Sequence, residues 1–257
     1  MSILMLALSV VGVTVLYALV GVAVVRHLMR GHVREGHNDV LVPIFLTAGT
    51  IYAVLLAFLV IGVWENYNAA NDNVAEEAST LTTLYRQTNG LPDKPQADLR
   101  KLLREYTEAV ATDEWPIQAA TGGASPHARK AIGDLYRSFR TMDPKVAASP
   151  IGVEFLQTLR SVAIDRNRRT TQAAEQLPMV LWTVLIVGGG IVVGMTFLLY
   201  MDLIWPHVVF SALMAALIGT LLFITLLLNR PFVGPLAISP EKFEHSLSVF
   251  ASVDQGN

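Results

Sequence analysis

Three acidic residues in this sequence have the type and spacing to act on ions. Glu65 follows directly after a long apolar run, and Asp72 and Glu76 come seven and eleven residues later. In an α-helix each residue is turned by about 100° from the one before, which places the three carboxylates within about 20° of one line along the helix. Rings of carboxylates at the mouth of a pore favour cations, so this line could be the ion-selective part of a conduction path.

The same line continues backwards into the apolar run. The residues within about 40° of Glu65 on a straight helix are Thr47, Ile51, Val54, Phe58 and Ile61. If several copies of this helix surround a common axis, those side chains form a narrow apolar pore neck that can gate by dewetting. The alternative is ordinary packing, in which the apolar side chains contact neighbouring helices and the acids form the solvated face of an amphipathic helix.

A second polar group, His37, Asn38 and Asp39, comes just before the apolar run. It could form a small site for an ion or a lipid headgroup, and Asn38 or Asp39 could equally be the N-cap of the helix. His27, His32 and His37 recur every five residues. That spacing turns about 140° per step and puts the rings on different faces of a helix, so no metal site is predicted.

Nothing in the chain has the pattern of a catalytic site. There is no HExxH motif, no serine in a strand–turn–helix context and no pair of acids inside an apolar run. The absence of cysteine excludes disulfides and thiolate chemistry. A net charge of −2 gives no argument for a nucleic-acid partner. We therefore expect neither an enzyme nor a cofactor.

The elements that must position these residues are apolar helices. The chain is 53% hydrophobic and only 16% charged, against about 25% charged residues in soluble domains. A helix of about 20 apolar residues crosses a bilayer, and helices satisfy their own backbone groups in lipid. The sequence predicts four such spans, because four stretches contain no charged residue: 2–25, 40–64, 179–201 and 207–229.

The predicted architecture is an all-α membrane protein with a helical-bundle domain inserted between the second and third spans. No Gly or Pro occurs from residue 64 to 87, so the second helix is expected to extend out of the membrane. Basic residues after the first span favour an external domain, whereas the larger number of basic residues on the domain side favours the cytosol. The predicted segments are transmembrane helices 1 and 2 (1–64), the non-membrane helical domain (65–177), transmembrane helices 3 and 4 (178–230) and a C-terminal tail (231–257).

Several strings of the sequence carry a family resemblance. They are HNDV at 37–40, YAVLLAF at 52–58, VWENY at 63–67, EWP at 114–116, LPMVLW at 177–182 and RPFVGP at 230–235. In this order they are similar to the bestrophin-like family of bacterial membrane proteins. Bestrophins are pentameric ion channels with four membrane helices per subunit, and the chain departs from them in having few acids after the last span, where a calcium clasp would lie.

The resemblance implies a homo-oligomeric channel, pentameric if the bestrophin arrangement holds, whose second helix lines the pore. It also implies a multi-pass protein of the inner membrane of a bacterial cell, whose partners are the lipid bilayer, inorganic ions and further copies of the same chain. The function predicted is passive conduction of ions, with the acids favouring cations. The alternative is a membrane-anchored helical sensing, binding or scaffold module without transport activity.

Overall fold

The computed structural model describes residues 3–29 and 37–256, and every regular element in those residues is a helix. The all-helical class predicted from the sequence is confirmed. A 3₁₀ turn at Thr88–Gly90 follows α2, and a π-helix at Ala109–Glu114 lies between α3 and α4. The α-helices are α1 (Ile3–Leu28), α2 (His37–Gln87), α3 (Asp93–Glu108), α4 (Trp115–Thr121), α5 (Pro126–Arg140), α6 (Pro144–Ala147), α7 (Pro150–Ala174), α8 (Met179–Leu198), α9 (Ile204–Leu228) and α10 (Glu241–Asp254).

The longest helix, α2, runs for 51 residues. Its second half contains no Gly or Pro until Gly90 and Pro92, so the backbone has no reason to leave the helical conformation earlier. The helix contributes to both of the compact units into which the chain divides. The first unit comprises residues 1–65 and 177–229, and the second comprises residues 66–176 and 230–257.

The first unit contains the apolar helices. Within the described residues, α1, α2, α8 and α9 are each long and apolar enough to cross a membrane. Helix α1 approaches α9 so closely that a Cβ on Gly219 would lie 3.2 Å from the Cα of Val11. The Tyr52 hydroxyl donates a hydrogen bond of 3.1 Å to the carbonyl oxygen of Leu185. Small residues at such crossings let the helix backbones approach each other closely.

The second unit has a conventional hydrophobic core. Ser125 and Ser149 cap α5 and α7, and each is followed by a Pro that suits the first helical turn. Most of the buried core side chains come from α2, α3, α5, α7 and α10, and they include Leu81, Leu84, Leu99, Leu103, Leu135, Phe155, Leu159 and Phe250.

The last helix, α10, lies in the segment that the sequence analysis described only as a tail. Phe243 and Phe250 are fully buried in the core of the second unit. The ring of Phe250 stacks on Tyr85 with the ring centroids 4.0 Å apart. The Tyr85 hydroxyl donates to the Asp254 carboxylate at 2.8 Å, and Arg100 and Arg104 both form ion pairs with Asp254. Residues 241–254 are therefore part of the packed structure.

Candidate functional site

The five predicted neck residues all lie on the exposed side of α2. Phe58 is 71% exposed and Ile51 67% exposed in the single chain. Tyr52 and Leu56, about half a turn away, are buried in the core of the first unit. The fold thus uses one face of α2 for its own core and leaves the predicted line uncovered. The exposed neck residues are Thr47, Ile51, Val54, Phe58 and Ile61.

The three predicted acidic residues follow the same pattern. Glu65, Asp72 and Glu76 are exposed. None of their carboxylates makes a hydrogen bond or an ion pair within residues 3–29 and 37–256. The opposite face of this part of α2 is buried, through Val74 and Leu81 among others. These carboxylates have no structural partner in the described chain, and their place in a pore stays a prediction.

The polar group at the start of α2 is engaged with the protein backbone. His37 Nε2 donates to the Leu198 carbonyl at 2.9 Å. The Asn38 amide pairs with Tyr200 twice, donating to its carbonyl at 2.8 Å and accepting from its N–H at 3.0 Å. Asp39 is exposed. Both polar ends of the Asn38 amide are therefore occupied in holding α2 to the connection between α8 and α9, and a role in binding an ion stays untested.

Two further observations concern the start of α2. Asn38 and Asp39 both lie inside α2, which is described from His37 onwards, so the prediction that one of them is its N-cap is wrong. His32, considered above as one of three spaced histidines, lies outside the residues that the structure describes.

A buried charge cluster around Arg169 on α7 was not predicted from the sequence. Arg169 and Glu77 are both completely buried, and Arg169 Nε donates to Glu77 Oε2 at 2.7 Å. The Tyr106 hydroxyl donates to Glu77 Oε1 at 2.6 Å. Burial by itself would lower the pKa of Arg169, but the adjacent Glu77 carboxylate raises that pKa above its usual value. The guanidinium also lies over the Trp115 ring, 5.3 Å from its centroid.

The π-helix brings a second carboxylate into this cluster. Glu114 is buried, and Arg166 Nη2 donates to its two oxygens at 2.9 Å and 3.3 Å. Arg169 Nη2 lies 3.8 Å from Glu114 Oε2. Burial raises the pKa of Glu114, and the positive charges of Arg169 and Arg166 oppose that shift only in part. The cluster ties α2, α7 and the π-helix together, and because its members are 52 or 92 residues apart, no local spacing could have predicted it.

A polar groove of about 470 Å³ lies between α2 and α7 in the second unit. Asp165 lines it with a side chain that is only 7% exposed. Burial, followed by the negative charges of Glu76 and Glu77, raises the pKa of Asp165. The other lining residues are mostly hydroxyl-bearing or charged: Glu76, Ser79, Thr80, Thr83, Gln157, Thr158, Ser161, Ile164 and Arg168.

Comparisons with known proteins agree with this architecture. Three crystal structures of a bacterial bestrophin homologue from Klebsiella pneumoniae are similar to the chain: two single-substitution variants and a form phased on zinc. Their TM-scores are 0.77, 0.75 and 0.74, with 12%, 12% and 13% sequence identity. The alignments cover 95%, 96% and 95% of this chain and 98% of each matched chain. At this identity the likeness shows the fold. A search of curated proteins found no match.

The sequence itself matches one family. Residues 12–243 fit the model of the bestrophin-like domain. That range includes α2 to α9 in full and α1 from residue 12 onwards. Because the match spans most of the sequence, the chain belongs to the bestrophin-like family of helical membrane proteins.

Proposed function

We propose that this protein is a homo-oligomeric ion channel of the inner membrane of a bacterial cell, with α2 lining the pore. Membership of the bestrophin-like family, whose known members are ion channels, supports the channel class. The observation that supports the proposal is a line of exposed residues within the wider exposed side of α2, which is apolar up to Ile61 and acidic at Glu65, Asp72 and Glu76. The four apolar helices span the bilayer, and the domain formed by residues 65–177 lies outside it.

The apolar part of the line supplies the neck. Large side chains such as Phe58 and Ile51 are exposed in one chain, and a shared axis would bring the same side chains of several copies together. A narrow apolar constriction excludes water and so blocks ions, and it conducts when it widens enough to be wetted. Phe210 on α9 is also an exposed phenylalanine, at 61%, but it does not lie on the α2 line.

The acidic part of the line supplies the preference for cations. Glu65, Asp72 and Glu76 have no ion-pair partner within the described chain, so their negative charge is available to an ion. In an oligomer each of them is repeated in every subunit and forms a ring of carboxylates. Such rings raise the local concentration of cations and repel anions.

Reconstitution into liposomes or planar bilayers tests the proposal. We expect wild-type protein to carry current, Phe58→Ala to raise the conductance by widening the neck, and the matched variant Phe210→Ala to leave it unchanged. Glu65→Gln should lower the permeability of cations relative to anions, whereas Glu108→Gln, which removes an exposed acid of α3, should not.

Two outcomes would overturn the proposal. Folded protein that carries no current under any ion gradient would leave a sensing, binding or scaffold module as the function. Equal effects of Phe58→Ala and Phe210→Ala would remove α2 from the pore even if current is present.

A further inference from the structure

Within the second unit, the line of exposed residues on α2 has a different helix on each side. Helix α10 contacts α2 on one side, where Lys242 Nζ donates to the Asn71 carbonyl oxygen at 3.0 Å. Helix α7 contacts it on the other, where Asn73 Nδ2 donates to Gln172 Oε1 at 2.6 Å. At about 100° per residue, Asn71 lies about 120° from the line in one direction and Asn73 about 80° in the other. The exposed line therefore runs between α7 and α10.

The outward side of α7 is basic. Arg168 and Ile164 line both the groove against α2 and a second groove of about 590 Å³ against α5, so they form a ridge between the two. Arg160, two turns earlier, also lines the second groove and makes no ion pair within the described chain. The Arg168 side chain is 57% exposed, and its contact with Asp165 is long, at 3.8 Å. We call Arg160, Ile164 and Arg168 the basic ridge.

The outward side of α10 is acidic. Phe243 and Phe250 are turned into the core of the unit, whereas Glu241 and Glu244 are exposed. Neither glutamate forms an ion pair within residues 3–29 and 37–256. The lysine of this helix, Lys242, is directed to the backbone of α2 and does not neutralise them. We call Glu241 and Glu244 the acidic face.

The basic ridge and the acidic face lie at similar heights along α2. Arg169 pairs with Glu77, and Ser246 Oγ donates to the carbonyl oxygen of the next α2 residue, Ala78, at 3.0 Å. The nearest residue of the ridge is one position from Arg169, and the nearest residue of the face is two positions from Ser246. The difference in height is therefore about one helical turn, or roughly 5 Å.

A ring of identical subunits would bring these two surfaces together. Rotation about the ring axis keeps the height of every residue, and each interface joins two different surfaces of the same chain. If the exposed line of α2 faces the axis, the α7 side of one copy faces the α10 side of the next. Such an interface needs complementary surfaces, and opposite charges at equal height both attract and fix the register.

We propose that the basic ridge of α7 docks on the acidic face of α10 in a neighbouring copy of this chain, with Arg168 against Glu241 and Glu244. The contact repeats between successive subunits and closes the ring outside the membrane spans. The proposal rests on the proposed function in one respect, because it takes the exposed line of α2 to face a shared axis.

Cross-linking tests the contact directly, because the chain contains no cysteine. The variant that combines Arg168→Cys with Glu244→Cys should be linked between chains by a bismaleimide with a short flexible spacer, since long paired side chains hold their backbones further apart than a disulfide spans. Denaturing gels should then show products in steps of one subunit mass. Each single variant should stay monomeric there. So should the control pair Arg129→Cys and Glu244→Cys, whose arginine is an exposed residue of α5.

Reversal of charge tests the attraction. Arg168→Glu and Glu244→Arg each place like charges at every interface, so each should raise about tenfold the protein concentration at which the oligomer dissociates. The variant that combines both changes should restore the wild-type value, and Arg129→Glu should leave it unchanged. Light scattering on the detergent-purified full-length protein measures the mass of the oligomer across a dilution series.

The proposal is overturned if the Arg168→Cys and Glu244→Cys pair links no better than the control pair. It is equally overturned if the combined charge reversal dissociates as readily as Arg168→Glu, which would leave the ridge to another anionic group such as a lipid phosphate. A cross-linked ring that carries no current would keep this interface and remove the channel. Current from protein that does not cross-link would remove the interface and keep the channel.

Discussion

Two adjacent glutamates of α2 have opposite surroundings. Glu77 is completely buried and accepts hydrogen bonds from Arg169 and Tyr106. Glu76 points about 100° away, is exposed and has no ion-pair partner within the described chain. The carboxylate of Glu77 is thus neutralised and hydrogen-bonded inside the fold, whereas the carboxylate of Glu76 on the same helix faces solvent. The comparison teaches that exposure and partners, rather than residue type, separate structural acids from candidates for ion binding.

The largest expected effect comes from the buried member of the pair. Glu77→Gln leaves the Arg169 guanidinium buried without its full counter-charge, and breaking a buried pair of this kind costs about 3–5 kcal/mol of folding free energy. Thermal unfolding of the detergent-purified protein measures this, with Glu76→Gln as the matched control that should change the midpoint little. Equal midpoints for the two variants would break the comparison.

An intermediate effect is expected at Asp254 on α10. Its side chain is 38% exposed, and it accepts from Tyr85 while pairing with Arg100 and Arg104. Partial exposure screens these interactions, so Asp254→Asn should cost only about 1 kcal/mol. Unfolding midpoints should therefore rank Glu77→Gln below Asp254→Asn, and both below Glu76→Gln. Any other order would show that exposure does not set the cost of losing a carboxylate here.

The pH dependence of stability should differ in sign between two acids of the second unit. Burial raises the folded-state pKa of Glu114 above its ordinary value of 4.5, so the folded protein binds that proton more tightly than the unfolded chain does. The contribution of Glu114 to stability therefore grows as the pH falls from neutral through the raised pKa towards 4.5.

Asp254 behaves in the opposite way. Burial would raise its pKa, but the hydrogen bonds from Tyr85 and Arg104 lower it below the ordinary 3.8, so its contribution is present above that value and is lost as the pH falls through the folded-state pKa. Unfolding midpoints measured against pH give both signs. As the pH falls to 4.5, the unfolding midpoint of wild type should rise relative to that of Glu114→Gln. A difference between the two midpoints that does not change with pH would contradict the prediction.

The smallest effect on stability is expected at Asp72, on the exposed line. Asp72→Asn removes a carboxylate without a structural partner, so the unfolding midpoint should stay within the error of wild type. Its effect should instead be seen in bilayers, as a lower permeability of cations relative to anions. If Asp72→Asn destabilises the protein without changing its permeability, Asp72 is a structural acid like Glu77 and not an exposed candidate for ion binding like Glu76.

The sequence predicted those parts of the molecule that depend on local pattern. Runs of sequence without charged residues coincide with α1, α8, α9 and the first half of α2. Such runs are easy to recognise because charged side chains are costly in lipid and are therefore rare in membrane helices. Helical periodicity also predicted that the residues from Thr47 to Glu76 share one side of α2, and that side is exposed in the single chain. Whether that face surrounds a pore depends on contacts between chains, which no periodicity within one chain records.

The parts that were missed depend on pairing over long separations. Arg169 meets Glu77 only after α7 returns beside α2, and a basic run in the sequence looks the same whether its arginines are solvated or buried. Asp165 was overlooked for the same reason. The last helix was different, because Phe243 and Phe250 lie seven residues apart on one helical face, and that spacing was a usable signal in the segment treated as a tail.

The π-helix at Ala109–Glu114 fixes the number of residues that the chain can have at this point. Most connections between helices tolerate the gain or loss of a residue, because they are loops on the surface whose backbone can change its path. Here, deleting one residue would restore the α-helical repeat but swing everything beyond it by about 100°, turning Glu114 away from Arg166 and Trp115 away from Arg169. Relatives that share this charge cluster should therefore carry the same residue count between Tyr106 and Trp115, whatever side chains they place there.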